Sequence, residues 1–188
     1  MTKVNKGKNL NQLPSGDRKK GDLIEKMIRV DHAGEYGAVR IYEGQLAVLQ
    51  GTASESSIRE MAEEEKRHCE GFQRLIIERR IRPTIFSPLW HIAGFALGAG
   101  TALIGPKAAM ACTEAVEEVI DEHYSEQALK LGDEERELRD MIEEFRQDEL
   151  AHRDLAREKG SAEAPGYELL TSAVKAGSRV AIWLSTRL

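Results

Sequence analysis

The chain has 188 residues, with 27 Lys+Arg against 32 Asp+Glu and a formal net charge of -5. That length fits one domain with room for a substantial core. The balance of charge supplies no overall basic field, which argues against nucleic acid as a partner. Cys69 and Cys112 are isolated, with no C-x-x-C pattern and no disulfide framework, so both are read as packing residues in a reducing compartment.

Residues 1–21 carry Lys3, Lys6, Lys8, Arg18, Lys19 and Lys20 against the single acid Asp17, with almost no apolar periodicity. The segment is expected to be a disordered basic tail. It has neither the apolar core of a secretory signal nor the Arg- and Ser-rich texture of a transit peptide. Residues 22–188 are expected to form one domain.

A first helix is expected from Asp22, as N-cap, to Leu49, with Ile24, Ile28, Glu35, Ala38, Tyr42 and Leu49 along its inward side. Gly51 to Ser54 is a tight link. A second helix runs from Glu55 to Arg80, where Ile58, Met61, Glu65, His68, Phe72 and Leu75 alternate by three and four. Residues 83–106 then contain no Asp, Glu, Lys or Arg and are broken by Pro83, Pro88, Pro106 and several glycines. The unbroken apolar part, 89–104, is shorter than the roughly 20 residues that cross a bilayer as a helix. It is read as an interfacial or re-entrant membrane element, ahead of a core or oligomer contact and of a true span.

A third helix, Lys107 to Leu131, places Met110, Thr113, Glu117, Ile120, Tyr124 and Leu131 on one stripe. After Gly132-Asp133 a fourth helix, Glu134 to Lys159, carries Leu138, Ile142, Phe145, Glu149, His152 and Ala156 on its stripe. A fifth, Gly166 to Leu188, has Leu170, Val174, Ala181, Leu184 and Leu188 on one face. It is either a second membrane-surface element or a packing helix.

Two E-x-x-H motifs therefore lie on stripes that should be buried, and Glu35 and Glu117 lie on two more. An uncompensated buried carboxylate costs several kcal/mol, so something must balance these charges. Glu65 and His68 follow Glu35 by thirty and thirty-three residues; Glu149 and His152 follow Glu117 by thirty-two and thirty-five. Glu35 and Glu65 are nearly equidistant from the first turn, as are Glu117 and Glu149 from the second, so at 1.5 Å per residue each pair meets at one height. Two hairpins joined by a long crossover make a ferritin-like four-helix bundle, all-α, with an additional C-terminal helix. Four glutamates and two histidines in its core match the ligand set of di-iron or di-manganese carboxylate proteins, and four carboxylates balance two divalent cations. Zinc prefers fewer carboxylates. An iron-storage or ferroxidase protein remains the alternative, with a metal-free helical interaction protein behind it.

Several runs add to this pattern: IRVDHAGEYGAVRIYEGQLAVL (28–49), EEEKRH (63–68), RPTIFSPLWHIAGFALGAGTALIG (82–105), AMACTEAVEEVIDEHY (109–124) and DELAH (148–152). They resemble the di-iron demethoxyubiquinone hydroxylase family of ubiquinone biosynthesis, over about residues 23–188. The resemblance implies iron ligation by Glu35, Glu65, His68, Glu117, Glu149 and His152, the six that spacing selects. It further implies a monooxygenase that hydroxylates a polyprenyl benzoquinone with O2, and NADH as a candidate electron source. A peripheral membrane location is implied, on the cytoplasmic face of a bacterial inner membrane or the matrix side of the mitochondrial one. So is a lipid-binding accessory protein of the same pathway, and an oligomer is open. His123 and Tyr124 match a family His-Tyr pair suggested to relay electrons, though Tyr124 could equally be a core residue with a satisfied hydroxyl. The chain departs from the family at Gly105-Pro106-Lys107-Ala108, where Gly-Lys-Glu-Gly is common, and at Trp183, where a tyrosine is common.

Overall fold

The structure, a computed structural model, describes residues 15–187. Six helices follow in order: α1 (Ser15–Leu49), α2 (Glu55–Arg79), α3 (Ser87–Ile104), α4 (Pro106–Ala128), α5 (Arg136–Glu158) and α6 (Tyr167–Ser185). No strand occurs among the described residues. Short links make α1–α2 and α4–α5 antiparallel hairpins, and the two hairpins dock into a four-helix bundle. Every inward residue expected on α1, α4 and α5 is buried, as are those on α2 apart from the partly buried Leu75.

α1 starts at Ser15, seven residues before Asp22, so residues 15–21 are helical and not tail. Lys20 reaches Glu134 beside the α4–α5 link, giving this polar extension an anchor that periodicity does not reveal. The remainder of the expected tail, 1–14, lies outside the described residues, as does Leu188. α2 ends on Arg80 in the left-handed region (φ 55, ψ 40), its N–H returning to Ile76 and Ile77.

The apolar crossover is one continuous helix, α3, of 18 residues, apolar and long enough by those measures to cross a membrane. Pro88 stands in its first turn, where no intrahelical N–H bond is needed, and Pro106 does the same for α4. α3 lies along α1. A Cβ on Gly98 would collide with the Ile41 carbonyl and one on Gly44 with the Phe95 carbonyl, so these glycines let the two backbones touch. The outer face of α3 leaves Ile92, Leu103 and Ile104 exposed. α6 packs Val174 and Leu170 inward and exposes Leu169, Val180 and Trp183. With α3, α5 and α6 against it, α4 is buried throughout 108–117.

Candidate metal centre

The six residues singled out by spacing come together in the middle of the bundle. Glu65, His68 and Glu149 have no exposed surface; Glu35, Glu117 and His152 are at most 3% exposed. One group of potential ligand atoms comprises Glu35, Glu65, His68 and Glu149, and a second comprises Glu65, Glu117, Glu149 and His152. Within each group the atoms lie within 4.8 Å of one another, so each could hold a metal ion. Glu65 and Glu149 belong to both, the placement expected of bridging carboxylates. Glu35 and His68 complete one position, and Glu117 and His152 the other.

The histidines present Nδ1 to this centre. His68 Nδ1 is 3.1 Å from Glu149 Oε1 and 3.6 Å from Glu35 Oε2; His152 Nδ1 is 3.1 Å from Glu65 Oε1 and 3.4 Å from Glu149 Oε2. Their Nε2 atoms point the other way, to Asp148 Oδ2 at 3.0 Å and Glu64 Oε2 at 2.6 Å. Each of those acids immediately precedes the E-x-x-H glutamate of the opposite helix. Glu64 is half exposed yet holds the ring of the buried His152. An acid before both motifs was the sequence signal for it.

The tyrosines cross over in the same way. Tyr42, on α1, donates to Glu117 Oε1 on α4 at 2.7 Å, and Tyr124, on α4, donates to Glu35 Oε1 on α1. Glu35, Tyr42 and Gln45 each recur 82 positions on, as Glu117, Tyr124 and Gln127. Gln127 Nε2 donates to Asp31 Oδ1 at 2.7 Å and Gln45 Nε2 donates to Thr113 Oγ1 at 3.3 Å, again matching positions. The bundle core is thus an internal two-fold repeat. It is broken at Asp31, opposite Thr113, and at His123, opposite Ile41.

His123 is one-fifth exposed, 3.3 Å from Asp31 Oδ1, and its ring centroid is 6.4 Å from that of the buried Tyr124. It forms part of the wall of a cleft of about 370 Å³ that also presents Lys26, Lys130 and Arg187. Burial raises Asp31, against hydrogen bonds from His123 and Gln127 that lower it.

The electrostatics without metal are those of crowded acids. Burial, reinforced by neighbouring Glu149, lifts Glu65 and Glu117 well above the usual carboxylate range. Burial opposes ionisation of Glu149 too, but hydrogen bonds from His152 and His68 outweigh it and hold it at about 2. Burial likewise disfavours the charged imidazoles, yet hydrogen bonds to Glu149 and Glu35 lift His68 to about 11, and those to Glu149 and Glu65 lift His152 to about 12. Six carboxylate and imidazole atoms of the centre, from Glu35, Glu65, Glu117, Glu149 and His152, are buried with no well-aligned hydrogen bond, the close His152 contacts to Glu65 and Glu149 included. Buried polar atoms are rarely left so, and cations between them would supply the missing partners. The residues fit a two-metal group.

Beside this centre an apolar cavity of about 390 Å³ opens between α1, α3, α4 and α6. Its wall includes Gly34 and Val116, immediate neighbours of Glu35 and Glu117, and Trp90, whose Nε1 donates to Ser185 Oγ of α6 at 3.0 Å. Cys112 is buried and Cys69 half-buried; both are free, and burial pushes each thiol up to about 12.

Comparison with known proteins agrees with this architecture. The family model described as "Ubiquinone biosynthesis protein COQ7" matches residues 22–185. The 3-demethoxyubiquinol 3-hydroxylase of Rhodospirillum rubrum is 52% identical over 174 residues, covering 92% of this chain and 82% of the relative. The NADPH-dependent 3-demethoxyubiquinone 3-hydroxylase, mitochondrial, of Homo sapiens is 50% identical over 169 residues, covering 88% and 78%. The 5-demethoxyubiquinone hydroxylase, mitochondrial, of Saccharomyces cerevisiae is 41% identical over 183 residues, covering 88% and 78%. The chain belongs to the COQ7 family of ubiquinone biosynthesis proteins.

Proposed function

We propose that the chain hydroxylates the ring of a polyprenyl methoxy-benzoquinone with O2, through two iron ions held by Glu35, Glu65, His68, Glu117, Glu149 and His152. The observation that carries this is the pair of overlapping ligand groups sharing Glu65 and Glu149, set beside an apolar cavity. When bound, iron supplies the oxygen activation and electron storage that ring hydroxylation needs and side chains lack. The protein's own part is to orient and to exclude water. Asp148 and Glu64 fix the imidazoles, Tyr124 and Tyr42 hold Glu35 and Glu117, and the apolar cavity receives the ring while keeping solvent away.

His123 and Tyr124 are assigned the relay of electrons from the solvent-facing cleft toward Glu35. The cations around that cleft suit an anionic reductant such as a reduced nicotinamide nucleotide. The exposed apolar faces of α3 and α6 are assigned to a membrane surface, because a prenyl tail is costly to carry through water. The human and yeast relatives are named mitochondrial and the Rhodospirillum relative is bacterial, so either the matrix side or the cytoplasmic face of an inner membrane fits. A lipid-binding accessory protein and self-association would share that surface. The hydroxylase names of the relatives favour this over a ferroxidase, and a soluble iron store has no use for so apolar a flank.

The test is product analysis. Iron-loaded protein is given demethoxyubiquinone, O2 and either NADH or NADPH, and quinones are identified by mass spectrometry. Iron-dependent gain of one oxygen atom is expected. Oxidation of Fe(II) with no hydroxylated quinone would favour the ferroxidase alternative.

A further inference from the structure

Gly34 and Gly37 on α1 and Gly177 on α6 stand inside helices, where glycine is among the least favourable residues. At two glycines of α3 a neighbour explains the residue: Gly98 admits the Ile41 carbonyl, and Gly94 has the Gly37 carbonyl 2.8 Å from where its Cβ would be. At Gly34, Gly37 and Gly177 no such neighbour exists. A Cβ built on any of them meets no atom within 4 Å, and all three line the apolar cavity.

The internal repeat supplies a second, independent comparison. Eighty-two positions after Gly34 and Gly37, the equivalent places on α4 hold Val116 and Val119, both buried. The bundle therefore accommodates branched side chains at these positions of a core helix. Packing of a core helix therefore does not by itself require glycine at these positions, and Val116 shows that a branched side chain can stand in the wall of this same cavity.

We propose that Gly34, Gly37 and Gly177 set the bore of this cavity and so decide which ring substituents pass. With three side chains missing, the peptide planes of α1 and α6 form flat walls between which a flat ring bearing methoxy and methyl groups can lie beside Glu35. This rests on the quinone reading of the cavity given above. It adds the residues that determine specificity and its direction: filling these positions excludes the substituted ring before the bare one.

The experiment uses the full-length, iron-loaded chain carrying Trp183→Phe, which leaves Trp90, in the cavity wall, as its one tryptophan. Binding of decylubiquinone and of decyl-benzoquinone without methoxy groups is followed by quenching of Trp90 fluorescence, in Gly34→Ala, Gly37→Ala, Gly37→Val and Gly177→Ala. Melting temperature and iron content are measured alongside. Gly100→Ala is the control, since Gly100 also has open space but lies off the cavity.

Each alanine should weaken decylubiquinone binding about tenfold and Gly37→Val more, with decyl-benzoquinone affected several-fold less. Iron content should hold, and melting temperature should stay level or rise by about 2–4 °C, as expected when helical glycine becomes alanine without a clash. Gly100→Ala should gain stability without changing binding. Unchanged binding of both quinones in the cavity variants overturns the proposal, and so does a fall in melting temperature, which would mark the glycines as packing residues. Wild-type protein that binds neither quinone overturns the quinone reading itself, and the proposal with it.

Discussion

His68 Nε2 and Asp148 Oδ2 stand 3.0 Å apart across the α2–α5 contact, with His68 Nδ1 turned back toward Glu149 and Glu35. The pairing repeats on the other side of the two-fold, where His152 meets Glu64 at 2.6 Å. An acid on the outer nitrogen fixes the ring and its tautomer and makes the inner nitrogen a better donor to a cation. Asp148→Asn and Glu64→Gln should therefore each weaken metal binding by about 10–100-fold while leaving the fold intact. Competition with a chelator of known affinity measures this. Wild-type affinity in both variants would return Glu64 and Asp148 to the status of surface acids.

Without metal, the bundle should lose stability as pH rises. Glu65 and Glu117 are raised in the folded chain, so their contribution is complete below the ordinary value of 4.5 and is lost as pH climbs through their folded values. His68 and His152 act in the same direction above 6.5, with loss continuing toward about 11 and 12. Glu149, held at about 2, changes stability only below 4.5. Divalent metal favours the deprotonated ligands and reverses the trend. Thermal melts between about pH 5 and 7.5, with and without anaerobic Fe(II), should show a metal-induced gain that grows with pH. A gain independent of pH would mean that these groups do not share one site.

Tyr42→Phe and Tyr124→Phe distinguish support from electron relay. Each removes a hydroxyl that donates to a buried carboxylate, at Glu117 and Glu35 respectively, and should cost about 1–3 kcal/mol of stability. Only Tyr124→Phe, with His123→Phe, should slow reduction of the iron-loaded protein by NADH, while dithionite reduces all variants alike. Stopped-flow absorbance separates the outcomes. Equal slowing in Tyr42→Phe and Tyr124→Phe would leave Tyr124 a structural donor.

The residues of α3 proposed to meet a membrane are those its packing leaves outside. Leu97, which composition alone placed among them, lines the apolar cavity, whereas Ile92 and Leu103 are 68% and 76% exposed. Ile92→Glu with Leu103→Glu should abolish co-sedimentation with anionic phospholipid vesicles and leave iron content unchanged. Undiminished co-sedimentation would remove α3 from the membrane surface.

The bundle and the six central side chains were legible because helical periodicity identifies the buried face and link lengths set the heights. A glutamate on a buried stripe is conspicuous; its neighbour Glu64, half exposed, is not. Periodicity says which way a side chain points along its own helix and nothing about what meets it from another. Hence the crossed contacts Tyr42–Glu117, Tyr124–Glu35 and His152–Glu64 appeared only in three dimensions. The start of α1 was missed for a different reason, since residues 15–21 carry no apolar stripe. The crossover misled because Pro88 and Pro106 start helices and Gly94 and Gly98 admit the α1 backbone, instead of breaking the helix.

The central claim is that Glu65 and Glu149 serve two metal positions at once. Elemental analysis after anaerobic Fe(II) reconstitution, on the wild-type chain and on Glu35→Ala, Glu65→Ala and Glu149→Ala, tests it most directly. The wild type should hold about two irons per chain, Glu35→Ala about one, and the two bridging variants close to none. Full iron occupancy in Glu65→Ala and Glu149→Ala would contradict the account.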